Sequence, residues 1–474
     1  GAVSVVQATA IVLGLLALLA AGPGAGARAR DEPASPTPEP GGAESPFPTP
    51  ETLEDLAETP LPEGAFRRSV ATVDAWTLEG PFPEQVAAER HRDPSPWGGL
   101  LEAAASRRAG LVLPTAAMYC AAREWGRFWL AHRAQPSAVL VSFIVGVCGA
   151  STAHVGFQYF EGGVPETASD EDIFEAWRAS VESLVAEQLV GGPRVAGVWY
   201  GRQEGRAIVV IASGERLVHV EPLPQVLAGD GSFTVRGEVL VQAAAIEAAV
   251  NRGRFGTAVC EADEKLALPR FAFRCQADPA DPRTWLTVTL VPPGRLLGRG
   301  ALGVVLFPSA GGQATGAEWR RPSVGEPVPV GPETDVRAEI TALVNRVRAE
   351  AGVGPLSLSD PQSEVAERLA PYYFASAFGV TPPQAGDLVV LGLLAGWSIE
   401  GIVQAGHFSS SFVLSSLDLD HLVATAVEYP PGRRALLAEE VRHLAVGSVV
   451  RSEDDFLAAV FGSYALFDEA SQEQ

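Results

Sequence analysis

His407, followed at short range by Ser409, Ser410 and Ser411, is the arrangement in this chain with the clearest capacity for chemistry. An imidazole can take the proton of a serine hydroxyl and so create a nucleophile, and a carboxylate such as Glu400 or Asp418 can orient that imidazole. His407, Ser409 and Ser411 are therefore the candidate catalytic residues. Two features weigh against them: no G-x-S-x-G elbow occurs anywhere in the chain, and a run of serines ordinarily forms a solvated loop. Of the other histidines, His421 and His443 flank a helix and a strand, His132 closes a helix as a cap, and His91, His154 and His219 stand isolated. Neither a CxxC motif nor a histidine-rich cluster is present, so no metal site and no cofactor is expected.

Aromatic and cationic residues surround that histidine in the sequence. Tyr372, Tyr373, Phe374 and Phe378 cluster, with Trp397, Phe408 and Phe412 following, a set that either fills a core or lines an apolar groove. Arg433 and Arg434 follow Pro430-Pro431-Gly432; they are placed to bind an anion or, more simply, to pair with Glu428, Glu439 or Glu440. The glycines of Gly294 to Gly300 lack the strand-to-helix context of a phosphate-cradling loop.

The elements that must position these residues follow from periodicity. Thr115 to His132 carries apolar residues at helical spacing, and Ser169 with Asp172 opens a capped amphipathic helix. Val195 to Tyr200 and Ala207 to Ile211 read as strands joined by a glycine turn. Short strands then follow at Ser232 to Arg236, Phe271 to Arg274, Trp285 to Thr289 and Val304 to Phe307. The Ala-rich stretch Arg236 to Arg254 is expected to be a helix or loop packed on them. An order of helix, turn, glycine-containing strand and apolar strand occurs at Asp172 to Ile211 and again at Asp420 to Phe461.

With 474 residues the chain exceeds one core. The net charge of -22 excludes nucleic acid and anionic membrane surfaces as main partners. Residues 1–27 are expected to be a signal peptide, since the uncharged run Ala8 to Ala21 is too short to span a bilayer and Ala25-x-Ala27 suits cleavage. An uncleaved anchor is the alternative. Secretion or a periplasmic location follows, and four cysteines in two local pairs, Cys120 with Cys148 and Cys260 with Cys275, read as disulfides. Residues 28–65 form an acidic Pro-rich linker and 310–334 a second linker. Between them lie an α/β domain at 66–216 and a small β-sandwich module at 217–309, with a final domain at 335–474.

That final domain carries a resemblance. Ile340 to Leu356, with Asn345, Arg346 and Gly354-Pro355-Leu356, and then Tyr429 to Leu437 leading into Leu444-Ala-Val446-Gly447, are similar to the CAP superfamily of cysteine-rich secretory and pathogenesis-related proteins, especially its small bacterial members. The resemblance implies an α-β-α sandwich with a cleft lined by two histidines and two glutamates. It places that cleft at Tyr373, Phe374, Phe378, Trp397, His407, Phe408 and Arg433. The family's Pro-Gly-His-Arg turn reads Pro431-Gly432-Arg433-Arg434 here, and its other polar positions are aromatic or aliphatic, which removes the ligands a metal would need. The fold class expected is thus α+β and multidomain, with 66–216 as a second, more degenerate CAP-like copy or an ordinary α/β unit. The function expected is a non-catalytic, exported binding or structural module with a protein or lipid ligand. A hydrolase using His407 and an apolar-ligand carrier are the alternatives; neither ligand identity nor oligomeric state is legible in the residues.

Overall fold

The structure is a computed structural model and describes residues 64, 66, 68–108, 110–227, 229–293, 298–308, 317–377 and 403–467. The expected signal peptide, most of the first linker, and Phe378, Trp397 and Glu400 lie outside those residues. Among the described residues, no helix is long and apolar enough to cross a membrane.

Three bodies pack together. The first contains helices α1 (Pro96–Arg107), α2 (Ala116–His132), α3 (Ala138–Val147) and α4 (Asp170–Gln188) with strands β1 (Val112–Pro114), β2 (Val155–Gly163), β3 (Arg194–Gln203) and β4 (Arg206–Glu215). Side-chain caps start each helix: Ser95, Thr115 and Ser137 accept from backbone amides, and Ser169 forms a reciprocal capping box with Asp172. The sheet order is β1-β3-β4-β2. β4 is buried on both faces, so it reads as a continuous apolar run. Ile208, Val210 and Ala212 meet α2 and α3, while Ala207, Val209 and Ile211 meet α1 and α4. Helices therefore cover both faces.

The second body is a β-sandwich. Strands β5 (Val218–Val220), β6 (Ser232–Val239), β7 (Ala245–Arg252), β8 (Gly256–Val259), β9 (Glu261–Ala262), β10 (Arg270–Gln276), β11 (Thr284–Val291) and β12 (Arg299–Leu306) make two sheets, ordered β9-β10-β6-β5 and β8-β7-β11-β12. The sheets share one core, and the Cys260–Cys275 disulfide ties them together. Cys120–Cys148 joins α2 to the end of α3, so both expected pairings are present. The Ala-rich stretch expected as helix or loop contains strand β7 instead. Alanine favours helix in isolation, but pairing of β7 with both β8 and β11, and burial of Ala248 and Val250, override that preference.

The third body contains α5 (Val336–Glu350), α6 (Asp360–Ala377), α7 (Leu419–Glu428) and α8 (Pro430–Leu437) with β13 (Ser357–Leu358), β14 (Val403–Leu414), β15 (His443–Arg451) and β16 (Phe456–Leu466). Its sheet order is β13-β15-β16-β14. In β16, Phe456, Ala458 and Val460 pack toward α6, whereas Leu457, Ala459 and Phe461 pack toward α5, α7 and α8. The first and third bodies thus share strand order and strand directions: β1 and β13 pair in parallel with β3 and β15, and every other pairing is antiparallel.

A glycine explains the closest approach in each. A Cβ on Gly197 of β3 would overlap the Met118 backbone of α2, and a Cβ on Gly447 of β15 would overlap the Ala366 backbone of α6. The sequence boundaries need correction at two places. Phe66 is buried in the core of the third body, stacked on Phe456 at 4.5 Å, so the chain after residue 65 does not belong to the first body alone. Likewise Glu318–Arg320 pairs with Ala75–Thr77, and Val324 is buried against α7, so the described part of the second linker is packed structure.

Candidate functional site

Strand β14 carries the candidate residues, and the period of two decides where each one points. Phe408, Ser410 and Phe412 face α6. There the Tyr373 hydroxyl and Ser410 Oγ are 2.9 Å apart, and Tyr373 meets the Phe408 ring at 5.4 Å. Phe374 contacts Phe412 and Phe456 edge-on. Tyr373, Phe374 and Phe408 are fully buried, so these aromatics fill the core of this face. Phe378 and Trp397, expected beside them, lie outside the described residues.

His407, Ser409 and Ser411 face the opposite way, toward α7 and α8. The expected groove is therefore not one surface, because the sheet itself separates His407 and Arg433 from Tyr373, Phe374 and Phe408. The candidate hydroxyls are not assembled on the imidazole either. Ser411 donates to the Leu422 carbonyl at 3.0 Å, and Ser409 Oγ is buried beneath Gly432 without a hydrogen-bond partner. Asp418 caps α7 and accepts from the Val328 amide.

His407 is 4% exposed and its Nε2 lies 2.9 Å from Glu440 Oε1. That hydrogen bond, against a smaller opposing effect of burial, holds the Glu440 carboxyl down at about 2. Glu440 in turn stands at a cleft of about 610 Å³ between the third body and the sandwich, walled by Arg254, Phe255, Glu350, Arg434 and Glu439. Glu440 was visible in the sequence only as a partner for arginine; its pairing with His407 spans 33 residues and carries no local signal.

The arginines that follow the Pro-Pro-Gly turn are spent on the domain junction. Buried Arg433 donates through Nε to the Val427 carbonyl at 2.8 Å, and through Nη1 to the carbonyls of Gly253 and Gly256 at 3.2 and 3.0 Å. Burial lowers its guanidinium to about 10. Arg434 pairs with Glu247 of the sandwich rather than with the acids near it in sequence. Asn251 donates to the Glu428 carbonyl at 2.9 Å, and the Tyr429 ring packs edge-on against Trp285 while its hydroxyl donates to Val139 of α3. Gly432 permits this corner, since a Cβ there would overlap the Ala426 carbonyl.

Three of the other histidines sit in structural surroundings. Burial lowers His421, which lies 3.4 Å from the Pro322 carbonyl, and His443 stacks on Tyr464. His132 packs against Trp76 and Phe128. Among the described residues, no three His, Cys, Asp or Glu side chains gather closely enough to hold a metal ion. A second cleft, in the first body, was not foreseen in the sequence.

No family model matches the chain, and no curated protein matches it significantly. Among solved structures it is similar to a cysteine-rich secretory protein of Staphylococcus aureus, at 9% identity over 52% of this chain and 84% of the other, with a TM-score of 0.21. It is also similar to an extracellular protein containing an SCP domain from Bacillus anthracis, at 12% identity over 66% and 81%, again with a TM-score of 0.21. At that score neither superposition carries weight, and the reading of function rests on the residues.

Proposed function

We propose that this protein is a non-catalytic binding or structural protein of the periplasm or cell exterior, built on two degenerate CAP-like units with a β-sandwich between them. One observation carries the reading. Arg433, at the position where the resemblance expects a cleft histidine, is buried and donates through Nε and Nη1 to three backbone carbonyls, two of them in the sandwich. A side chain committed to a domain junction is withdrawn from ligand chemistry. Two disulfides suit an oxidising compartment, and the shared strand order of the first and third bodies supports their reading as copies.

The ligand this architecture favours is polar and peptide-like. The 610 Å³ cleft beside Glu440 mixes carboxylates with arginines, whereas the aromatic face suited to a lipid is packed solid among the described residues. The hydrolase alternative has less support, because Ser409 and Ser411 make no hydrogen bond to His407.

The test is an activity screen of the purified full chain against ester, peptide and glycoside substrates, with and without Zn²⁺. No turnover above buffer is expected. Turnover abolished by chelator, or by His407→Ala in a variant that keeps its fold by circular dichroism, would refute the non-catalytic reading.

A further inference from the structure

The first body holds a cleft of about 410 Å³ between the amino-terminal end of α1, the outer side of α2 and the loop Pro81-Phe82-Pro83. Rings dominate its wall: Phe82, Trp97, Tyr119, Trp199 and Tyr200 line it, with His91 at the edge. Two ring pairs fix the wall's shape, Trp97 stacked on Tyr200 at 5.5 Å and His91 edge-on to Tyr119 at 5.2 Å.

The charges around it do not cancel evenly. Arg123 enters the lining, but its Nε bonds Glu124 at 2.9 Å and its Nη2 the Pro81 carbonyl at 3.0 Å. Glu124 also takes Arg127 at 2.7 Å, and Arg127 reaches Glu79, so this group of two acids and two arginines is neutral. Glu102, behind Tyr119, is paired with Arg90 at 2.6 Å. Asp93 is different: its oxygens accept only from the Ser95 amide and hydroxyl, and among the described residues no cation pairs with it. Burial first, then the charges of Asp93 and Glu102, push the Tyr119 hydroxyl up. The cleft is therefore aromatic-walled with one carboxylate lacking a counter-ion.

We infer that this cleft binds a small organic cation of the quaternary-ammonium class, with Asp93 as its counter-ion and the surrounding rings as its wall. Ring faces attract cations through their quadrupoles, more strongly where water is excluded. A neutral apolar ligand would leave Asp93 uncompensated, and an anion would be repelled by it. A sugar would need many hydrogen-bonding groups, and most of the lining residues are aromatic or aliphatic. The inference is independent of the proposed function of the third body, from which this cleft is distinct.

Trp97 and Trp199 report the test directly. The full chain is titrated with choline chloride, and with 3,3-dimethylbutan-1-ol as its neutral isostere, while tryptophan fluorescence is followed. Saturable binding of choline is expected at millimolar concentration, with the neutral isostere at least about tenfold weaker. Asp93→Asn keeps an oxygen for Ser95 yet removes the charge, and it should weaken choline about tenfold without changing the near-ultraviolet circular dichroism. Phe82→Ala, on a loop, removes one ring and serves as the second variant should Asp93→Asn unfold. Equal binding of the isostere, wild-type affinity in both variants, or no saturable response would each overturn the inference. Sedimentation with phosphatidylcholine vesicles separates the two sources of such a cation. Vesicle binding competed by choline points to a lipid headgroup, and choline binding without vesicle binding points to a free solute.

Discussion

The first and third bodies set the same strand order in a sheet covered by helices on both faces, yet they place their bulk on opposite partners. Eight residues along α2 from Met118 lies Gly126, and two residues along β3 from Gly197 lies Trp199, whose ring covers that glycine. The same steps from Ala366 and Gly447 reach Phe374 on α6 and Val449 on β15, which share one core cluster. Large on strand and small on helix in one body becomes small on strand and large on helix in the other. Close packing requires the sum to be conserved, not the position. The consequence reaches function: Trp199 helps to line an open cleft in the first body, whereas Phe374 helps to fill the third.

The largest effect should come from the glycines that both bodies share. Gly197→Val and Gly447→Val each drive a side chain into helix backbone that cannot swing aside, and each should cost about 3 kcal/mol or more. Denaturant unfolding would measure it; a body that tolerates the valine does not use its glycine as described here.

Next comes the exchanged bulk. Trp199→Val should cost about 1–3 kcal/mol through the packing that the half-buried ring loses on Gly126, and Gly126→Ala about 1–3 kcal/mol through overlap with the ring. Because each change relieves the other, the double variant should be less damaged than the sum, by about 0.5–3 kcal/mol. Strict additivity in a double-mutant cycle would remove the compensation argument.

Arg433→Ala sharpens a different contrast, since the third body meets the sandwich through a buried arginine, whereas the first body meets it through the exposed pair Glu215–Arg299. Three carbonyls lose a charged donor, at a cost of about 1.5–3 kcal/mol. Amide hydrogen exchange should rise at the turn of residues 253–255 before it rises in the sheets.

The smallest effect is electrostatic. Glu440 titrates near 2 in the folded chain, below its ordinary 4.5. A depressed carboxylate contributes stability above about pH 4.5 and loses it as pH falls toward 2. Glu440 is half exposed, so the contribution should stay under about 1 kcal/mol. His407→Phe should flatten this part of the pH profile, and an unchanged profile would show that the pair contributes nothing.

Much of the local structure was legible in the residues. The capping box at Ser169, the period of α2 and the strand signals of β10 and β11 all act over a few residues, so the sequence carries them. β7 was missed because its alanines favour helix until two neighbouring strands pair with it. The candidate site was legible only in part: His407 is buried beside a carboxylate, but that carboxylate is Glu440, and the serines face other partners.

Residue order alone carried the disulfide pairs as the simplest connectivity, the capped helix start at Ser169 and the acidic charge of the chain, because each depends on composition or on spacing over a few tens of residues at most. Only the tertiary structure decided that β14 splits its candidates across two faces, that Arg433 reaches Gly253 and Gly256, and that loop, helix and strand residues from 81 to 200 line one cleft. The physical reason is range. A cap or an amphipathic period is settled by neighbours along the chain, while a buried donor bonds to whichever carbonyl packing brings within about 3 Å.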